Sequence, residues 1–235
     1  MDKSKPISMS NSSDPYTLPE ETMGVTRNAL RLLLNNGAKI QLITKSSLVT
    51  RDIDLIRNGY CSVSISITTL DEEKASRLEP AASSPKKRIA ALRLLSDSGI
   101  PTTARIDPII PGINDVDLGS LVDAVIETGI SHLVASTCKI RTDGFNRLVD
   151  AFPSERYNLW KLYWVEGERL GNARYLRRSL REKILQDATR AAKVAGISFG
   201  VCREGLSGFN MGQTCDGSHT IGAQVPSLRE RKEKT

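Results

Sequence analysis

The stretch TTARIDPIIPGINDVDLGSLVDAVIETGISHLVAST, residues 102–137, decides how this chain folds. It opens on the apolar, β-branched run Thr102–Ile106 and passes through a loop rich in proline and glycine. Over Asp115–Thr128 the residues Leu118, Leu121, Val122, Val125 and Ile126 recur at three- and four-residue intervals, so they share one face of a helix that Gly129 ends. His132–Thr137 is a second apolar run. A strand, a crossover helix and a strand in that order predict a parallel pair.

The same alternation extends to both sides. Toward the N-terminus the sequence predicts strands over Ile7–Ser10, Lys39–Thr44 and Ser62–Thr68. Between them lie a helix over Glu20–Asn36, carrying Val25, Leu30, Leu33 and Leu34, and a brief helix over Arg51–Arg57. Asp71–Arg77 and Pro85–Ser98 are two further helices before the 102–137 unit. Toward the C-terminus the pattern loosens. Leu159–Val165 is aromatic-rich, Glu168–Ala195 reads as one long basic helix, Ile197–Val201 as a last strand, and glycines punctuate Gly205–Gly222 before a charged tail, Arg229–Thr235. The expected architecture is an α/β barrel or open parallel sheet. Its core lies in residues 1–140, and residues 141–235 form a helical C-terminal extension.

Composition agrees. A chain of 235 residues with 39% hydrophobic and 26% charged residues is long enough for a single barrel-sized core. The net charge of +6 permits an anionic partner, although terminal charges such as Lys234 supply part of it. Residues 1–15 are polar and no apolar run reaches the roughly 18 residues of a membrane span, so a cytoplasmic protein is expected. Four scattered cysteines, Cys61, Cys138, Cys202 and Cys215, argue against a disulfide framework.

In a βα repeat the C-terminal strand ends gather on one rim, so motifs far apart in sequence meet there. Four such motifs close the predicted strands: Ser10-Asn11-Ser12-Ser13-Asp14-Pro15-Tyr16, Thr44-Lys45-Ser46, Ser64-Ile65-Ser66-Ile67-Thr68 with Leu78-Glu79-Pro80, and Asp107-Pro108-Ile109-Ile110-Pro111-Gly112-Ile113-Asn114-Asp115. With Ser84-Pro85 and Arg88, and over roughly residues 7–135, they resemble the radical S-adenosylmethionine superfamily, in its spore photoproduct lyase-like branch. The resemblance implies a partial TIM-like (β/α)6 barrel. It also implies a chemistry in which a four-iron four-sulfur (4Fe-4S) cluster reduces S-adenosylmethionine, and the resulting 5′-deoxyadenosyl radical abstracts hydrogen from a substrate. By the same resemblance Ser13 and Lys45 serve the methionine part or ribose of the cofactor, Ser66 and the Asp107-Pro108 turn line its ribose and adenine, and Asp14 and Ser46 belong to the same cofactor-binding set. These residue types suit such a ligand, since an ammonium pairs with the cofactor carboxylate and hydroxyls hold ribose.

Two departures qualify the resemblance. The family binds its cluster through CxxxCxxC, whereas the nearest cysteines here, Cys202 and Cys215, are 13 positions apart. The chain therefore reads as beginning at the family's second strand, with its first βα unit absent. It is expected to be inactive as given unless another segment supplies the cluster, and Ile7–Ser10 becomes an edge through which it could self-associate. The second departure is Asn11, which stands where the lyase places a hydrogen-returning cysteine, so thymine-dimer repair is not expected. The alternative is a cluster-less barrel that binds or scaffolds without catalysis. A phosphate-binding barrel of another kind lacks a Gly-rich phosphate loop here.

Two further features stay open on sequence. Cys202, Cys215 and His219 give Cys-x12-Cys-x3-His, either a zinc or accessory-cluster site or a local brace. The segment Arg169–Lys183, with Arg174, Arg177, Arg178 and Arg181, is either a weak nucleic-acid surface or the solvated side of a helix lying over Trp160, Tyr163 and Trp164.

Overall fold

The computed structural model describes residues 5–9 and 13–223. The elements run in the order β1 (Ile7–Met9), α1 (Glu20–Met23), α2 (Val25–Asn35), β2 (Ile40–Thr44), α3 (Ile53–Ile56), β3 (Cys61–Ser66), α4 (Glu72–Leu78), α5 (Pro85–Asp97), β4 (Thr102–Ile109), α6 (Leu118–Ile126) and β5 (His132–Thr137). There follow α7 (Thr142–Ala151), α8 (Arg156–Trp160), β6 (Glu168–Leu170), β7 (Ala173–Tyr175), α9 (Arg178–Val194) and β8 (Ser198–Val201). Six strands form one sheet in the order β1-β2-β3-β4-β5-β8, and every neighbouring pair is parallel. Among the described residues the sheet is open: β1 and β8 are its two edges, and no ladder joins them.

Alternation along the strands divides the sheet into two chemically different faces. Ile40, Leu42, Val63, Ile65, Ala104, Ile106, Leu133, Ala135, Phe199 and Val201 join Leu30, Leu92, Leu95, Leu121, Val125 and Leu185 of the helices in a single apolar core. The intervening residues, Gln41, Ser62, Ser64, Thr103, Arg105, His132 and Ser198, present polar groups to the other side. The lower half of that polar face is covered by the glycine-rich segment. Gln41 Nε2 donates to the carbonyl of Asp216 at 2.7 Å, and His132 Nε2 lies 3.4 Å from the carbonyl of Cys215. Gly217, at φ +82°, sits where a Cβ would meet Thr103 Oγ1 at 2.5 Å, so only glycine seats this plug without displacement.

The expected alternation holds from β1 through β5, with three differences. The helix expected over Glu20–Asn36 is two helices, because Gly24 adopts a left-handed conformation (φ 63°) that ends α1 and starts α2 in a new direction. The fourth strand continues past Ile106 to Ile109 and carries the Asp107-Pro108 turn within its last pairs. The single basic helix expected over Glu168–Ala195 is wrong in its first part. Residues 168–175 form an antiparallel hairpin, β6 with β7, and only α9 is helical. The break follows from Gly167 and Gly171: Gly167 lies so close to the carbonyls of Tyr163 and Tyr175 that no side chain fits, and Gly171 turns the hairpin at φ 61°. The segment beyond residue 140 also contributes β8, the sixth strand of the sheet.

Candidate functional site

The rim at the C-terminal ends of β2 to β5 is assembled by short polar contacts. Asp14 anchors the loop after β1: its carboxylate accepts from Thr44 Oγ1 at 2.6 Å, from the Lys45 amide at 2.6 Å and from the Tyr16 amide at 2.9 Å. Asp14 therefore builds the rim by holding one strand end against the next. Ser46 caps the turn that follows β2, accepting from the Leu48 amide at 3.3 Å. Ser13 is exposed at the start of the loop, and Asn11 lies outside the described residues.

Lys45 leads into a chain of charges. Its Nζ stands 3.6 Å from Glu79 Oε1, and Glu79 Oε2 accepts from the fully buried Arg88 at 2.6 Å. The same Arg88 nitrogen donates to the Ser66 carbonyl at 2.8 Å. The Leu78-Glu79-Pro80 turn and Arg88, 22 positions beyond Ser66, thus hold the end of β3 and the Lys45 ammonium in one arrangement. Glu79-Pro80 thus forms the turn between α4 and α5 and takes part in a polar network at the same time.

Two clefts meet at Lys45. One, of about 510 Å³, is mainly apolar and lies between the loop after β1 and the turn after α4; Asp14, Tyr16, Lys45, Ser46, Glu79 and Pro80 are among its walls. The other, of about 480 Å³, opens above the polar face of the sheet. Lys45, Ser66, Asp107 and Pro108 line it together with Arg105, Thr137, Cys138, Lys139, Cys202 and Arg203. Four expected cofactor residues from three strand ends therefore share one cleft, while Asp14 and Ser46 sit in the adjoining one. Asn114 braces the last of these motifs, donating from Nδ2 to the carbonyls of Thr68 (2.8 Å) and Pro108 (3.0 Å).

The far wall of the cleft was not legible in the sequence. Its organiser is Glu204, a fully buried carboxylate that accepts from the Thr137 amide (2.7 Å), Thr137 Oγ1 (3.0 Å), Ser136 Oγ (3.2 Å) and Lys139 Nζ (2.7 Å). Arg181 reaches it from α9 at 3.4 Å. A lysine two residues past a strand end, close to the placing of Lys45 directly after Thr44, was the only signal for Lys139. Glu204 lay unmarked, one residue before the glycine-rich segment.

Three of the four cysteines are held as thiols. Burial pushes the Cys138 thiol up to about 11 and raises those of Cys61 and Cys215 as well. His219 Nδ1 is 3.0 Å from Thr214 Oγ1, its Nε2 is 3.5 Å from Ser198 Oγ, and its ring meets His132 edge-on at 5.3 Å. Among the described residues no group of three His, Cys, Asp or Glu is placed to hold a metal, Cys202, Cys215 and His219 included. Both ring nitrogens of His219 face hydroxyls, and the segment braces the sheet instead.

The Arg169–Lys183 segment does not present one cationic face. Arg181 is buried, with Nη2 3.1 Å from Glu168 and Nε donating to the Leu176 carbonyl at 2.9 Å. Arg178 pairs with Glu182, and the Arg174 guanidinium lies over the Trp164 ring at 5.5 Å. Tyr163 is fully buried, and Trp164 packs on Phe145, whereas Trp160 stays partly exposed. No helix among the described residues is long and apolar enough to cross a membrane.

Comparison with known proteins places this geometry in context. Residues 9–125 match the family described as the Radical SAM superfamily. The chain is 38% identical over 112 residues to the uncharacterized protein MJ0683 of Methanocaldococcus jannaschii, covering 47% of this chain and 43% of that protein. It is 26% identical over 127 residues to the Radical SAM Nalpha-GlyT isomerase of Pseudomonas phage M6, covering 53% of this chain and 26% of that one. The chain thus spans less than half the length of these curated relatives. Among solved structures, spore photoproduct lyase in complex with dinucleoside spore photoproduct superposes with a TM-score of 0.63 at 17% identity, over 80% of this chain and 58% of that one. A variant of that lyase with bound AdoMet gives 0.62. At this identity the likeness is one of fold.

Proposed function

We propose, for a chain whose residues 9–125 belong to the radical SAM superfamily, that the rim formed by β2, β3 and β4 binds S-adenosylmethionine and that the cleft beyond it receives the substrate. The observation that carries this reading is the convergence of Lys45, Ser66, Asp107 and Pro108 on one cleft of about 480 Å³, within the usual range for a small-molecule site. In the superfamily S-adenosylmethionine and a four-iron cluster together supply a radical that abstracts hydrogen. The donor set fits the first of these. An ammonium held at 3.6 Å from Glu79, and 39% exposed, has protons left for a carboxylate, and Ser66 and Asp107 offer polar groups for a ribose. It does not fit the second: among the described residues no three thiols converge, so no step of this proposal runs through a cluster held by them. By this reading residues 1–235 alone bind the cofactor without starting the reaction. The same lack of converging thiols favours the rival, a binding protein of this fold without radical chemistry.

Titrating S-adenosylhomocysteine into the full chain by calorimetry tests the reading. Binding is expected, and Lys45→Ala is expected to weaken it by about 1–3 kcal/mol, the range for losing a charge-assisted hydrogen bond. Absence of binding to the unaltered chain sinks the cofactor reading. Unchanged affinity in the variant removes Lys45 from it.

A further inference from the structure

Arg105 has more donors than partners in the described structure. It projects from the middle strand of the polar face, its side chain is only 11% exposed, and it lines the cleft. A guanidinium carries five N–H donors, yet among the described residues Arg105 makes one hydrogen bond, from Nη2 to Asp107 at 3.2 Å. None of its nitrogens is among the buried atoms left without a partner, so its remaining donors are open to the cleft and to a ligand that enters it. Its neighbours offer no further anion. Glu204 is taken up by Thr137, Ser136, Lys139 and Arg181. Arg203, exposed in the same wall, makes no ion pair among the described residues, and its backbone has φ 57°, a conformation that costs a non-glycine residue and recurs where ligands are held. Two guanidinium groups thus face the cleft against a single carboxylate, Asp107. S-adenosylmethionine, with its sulfonium and ammonium against one carboxylate, would add positive charge here and cannot balance the wall.

We propose that the wall formed by β4, β5 and the turn after β8 binds an oxyanionic group of the substrate, a phosphate or a carboxylate, with Arg105 as its bidentate ligand and Arg203 at the entrance. This deepens the cofactor reading by assigning the opposite wall to the substrate, but the anion site itself stands without it.

The test is titration of the full chain with inorganic phosphate, and separately with acetate, at constant ionic strength. Saturable amide shifts at Arg105, Thr137 and Arg203 in 1H–15N spectra are followed. At least one anion is expected to saturate: preference for phosphate assigns a phosphoryl group, and preference for acetate a carboxylate. Arg105→Gln is expected to weaken that binding about tenfold or more and Arg105→Lys to restore part of it, while the affinity for S-adenosylhomocysteine, touched only through the lost pairing of Asp107, falls by much less. Arg203→Gln, an exposed change that leaves the core untouched, is expected to weaken binding severalfold. The proposal is overturned if neither anion saturates, if Arg105→Gln and Arg203→Gln both bind as the unaltered chain does, or if Arg105→Gln loses S-adenosylhomocysteine in equal measure. Failure of the unaltered chain to bind S-adenosylhomocysteine, with the anion result intact, would remove only the cofactor reading.

Discussion

Arg88 is the residue on which the cofactor rim depends most. It is fully buried, and a single nitrogen serves both Glu79 at 2.6 Å and the Ser66 carbonyl at 2.8 Å. Glu79, itself 8% exposed, then faces Lys45. Taking one partner from a buried pair leaves the other charged and dry, which typically costs about 3–5 kcal/mol. Arg88→Leu should therefore lower unfolding stability by about that much in urea titrations, and Glu79→Gln by less, because a neutral amide still accepts from the guanidinium. A loss below about 1 kcal/mol for Arg88→Leu would mean that Glu79 escapes to solvent and the chain of charges does not hold the rim.

Among the elements, α9 changes most in meaning once its surroundings are known. Read alone it is a basic helix. In the fold, Arg181 turns inward to Glu204, Glu168 and the Leu176 carbonyl, joining α9 to the hairpin and to the far wall of the cleft. Arg178, one turn earlier, pairs only with Glu182 at the surface, its side chain 65% exposed. Arg181→Met is expected to cost about 3–5 kcal/mol by denaturant unfolding, whereas Arg178→Met should stay under about 1 kcal/mol. Equal, small losses would return the helix to the status of a solvated cationic surface.

At the scale of the whole molecule, stability should depend on pH through the plug on the polar face. Burial lowers the pKa of His132 from 6.5 to about 4; the Cys215 carbonyl and, less, the Asp216 carboxylate oppose this, and His219 and Arg105 add to it. His219 is shifted in the same direction. Folded His132 is thus neutral where the unfolded chain would hold a proton, so its contribution is complete above pH 6.5 and is lost as pH falls toward 4. The span corresponds to about 3 kcal/mol. Buried carboxylates such as Asp52, held low by Arg51, Arg27 and Tyr16 against its burial, also lose stability as pH falls, so the informative quantity is a difference. His132→Gln should lower stability at pH 7.5 but flatten its decline between about pH 6.5 and 4.5. Parallel curves for the two proteins would show that His132 is not the titrating group.

How much could be read in advance follows from the range of the forces involved. Alternation in Val63-Ser64-Ile65-Ser66 and helical spacing in Leu118, Leu121, Val122 and Val125 are local, so the order of strands and helices, their parallel direction and the rim carrying Lys45, Ser66 and Asp107 follow from the sequence alone. Gly24 and Gly171 were visible as residues, but their left-handed backbones, which split one helix and fold another into a hairpin, emerge only against their neighbours. The pairing of Arg88 with Glu79, the capture of Arg181 by Glu204 and the seating of Gly217 against Thr103 join residues whose separation in the chain carries no periodic signal. Burial turns those side chains into requirements. An arginine in water has no fixed partner, whereas one enclosed by the fold must have its charge answered, by Glu204 for Arg181 and, for Arg105, by Asp107 and what the cleft admits.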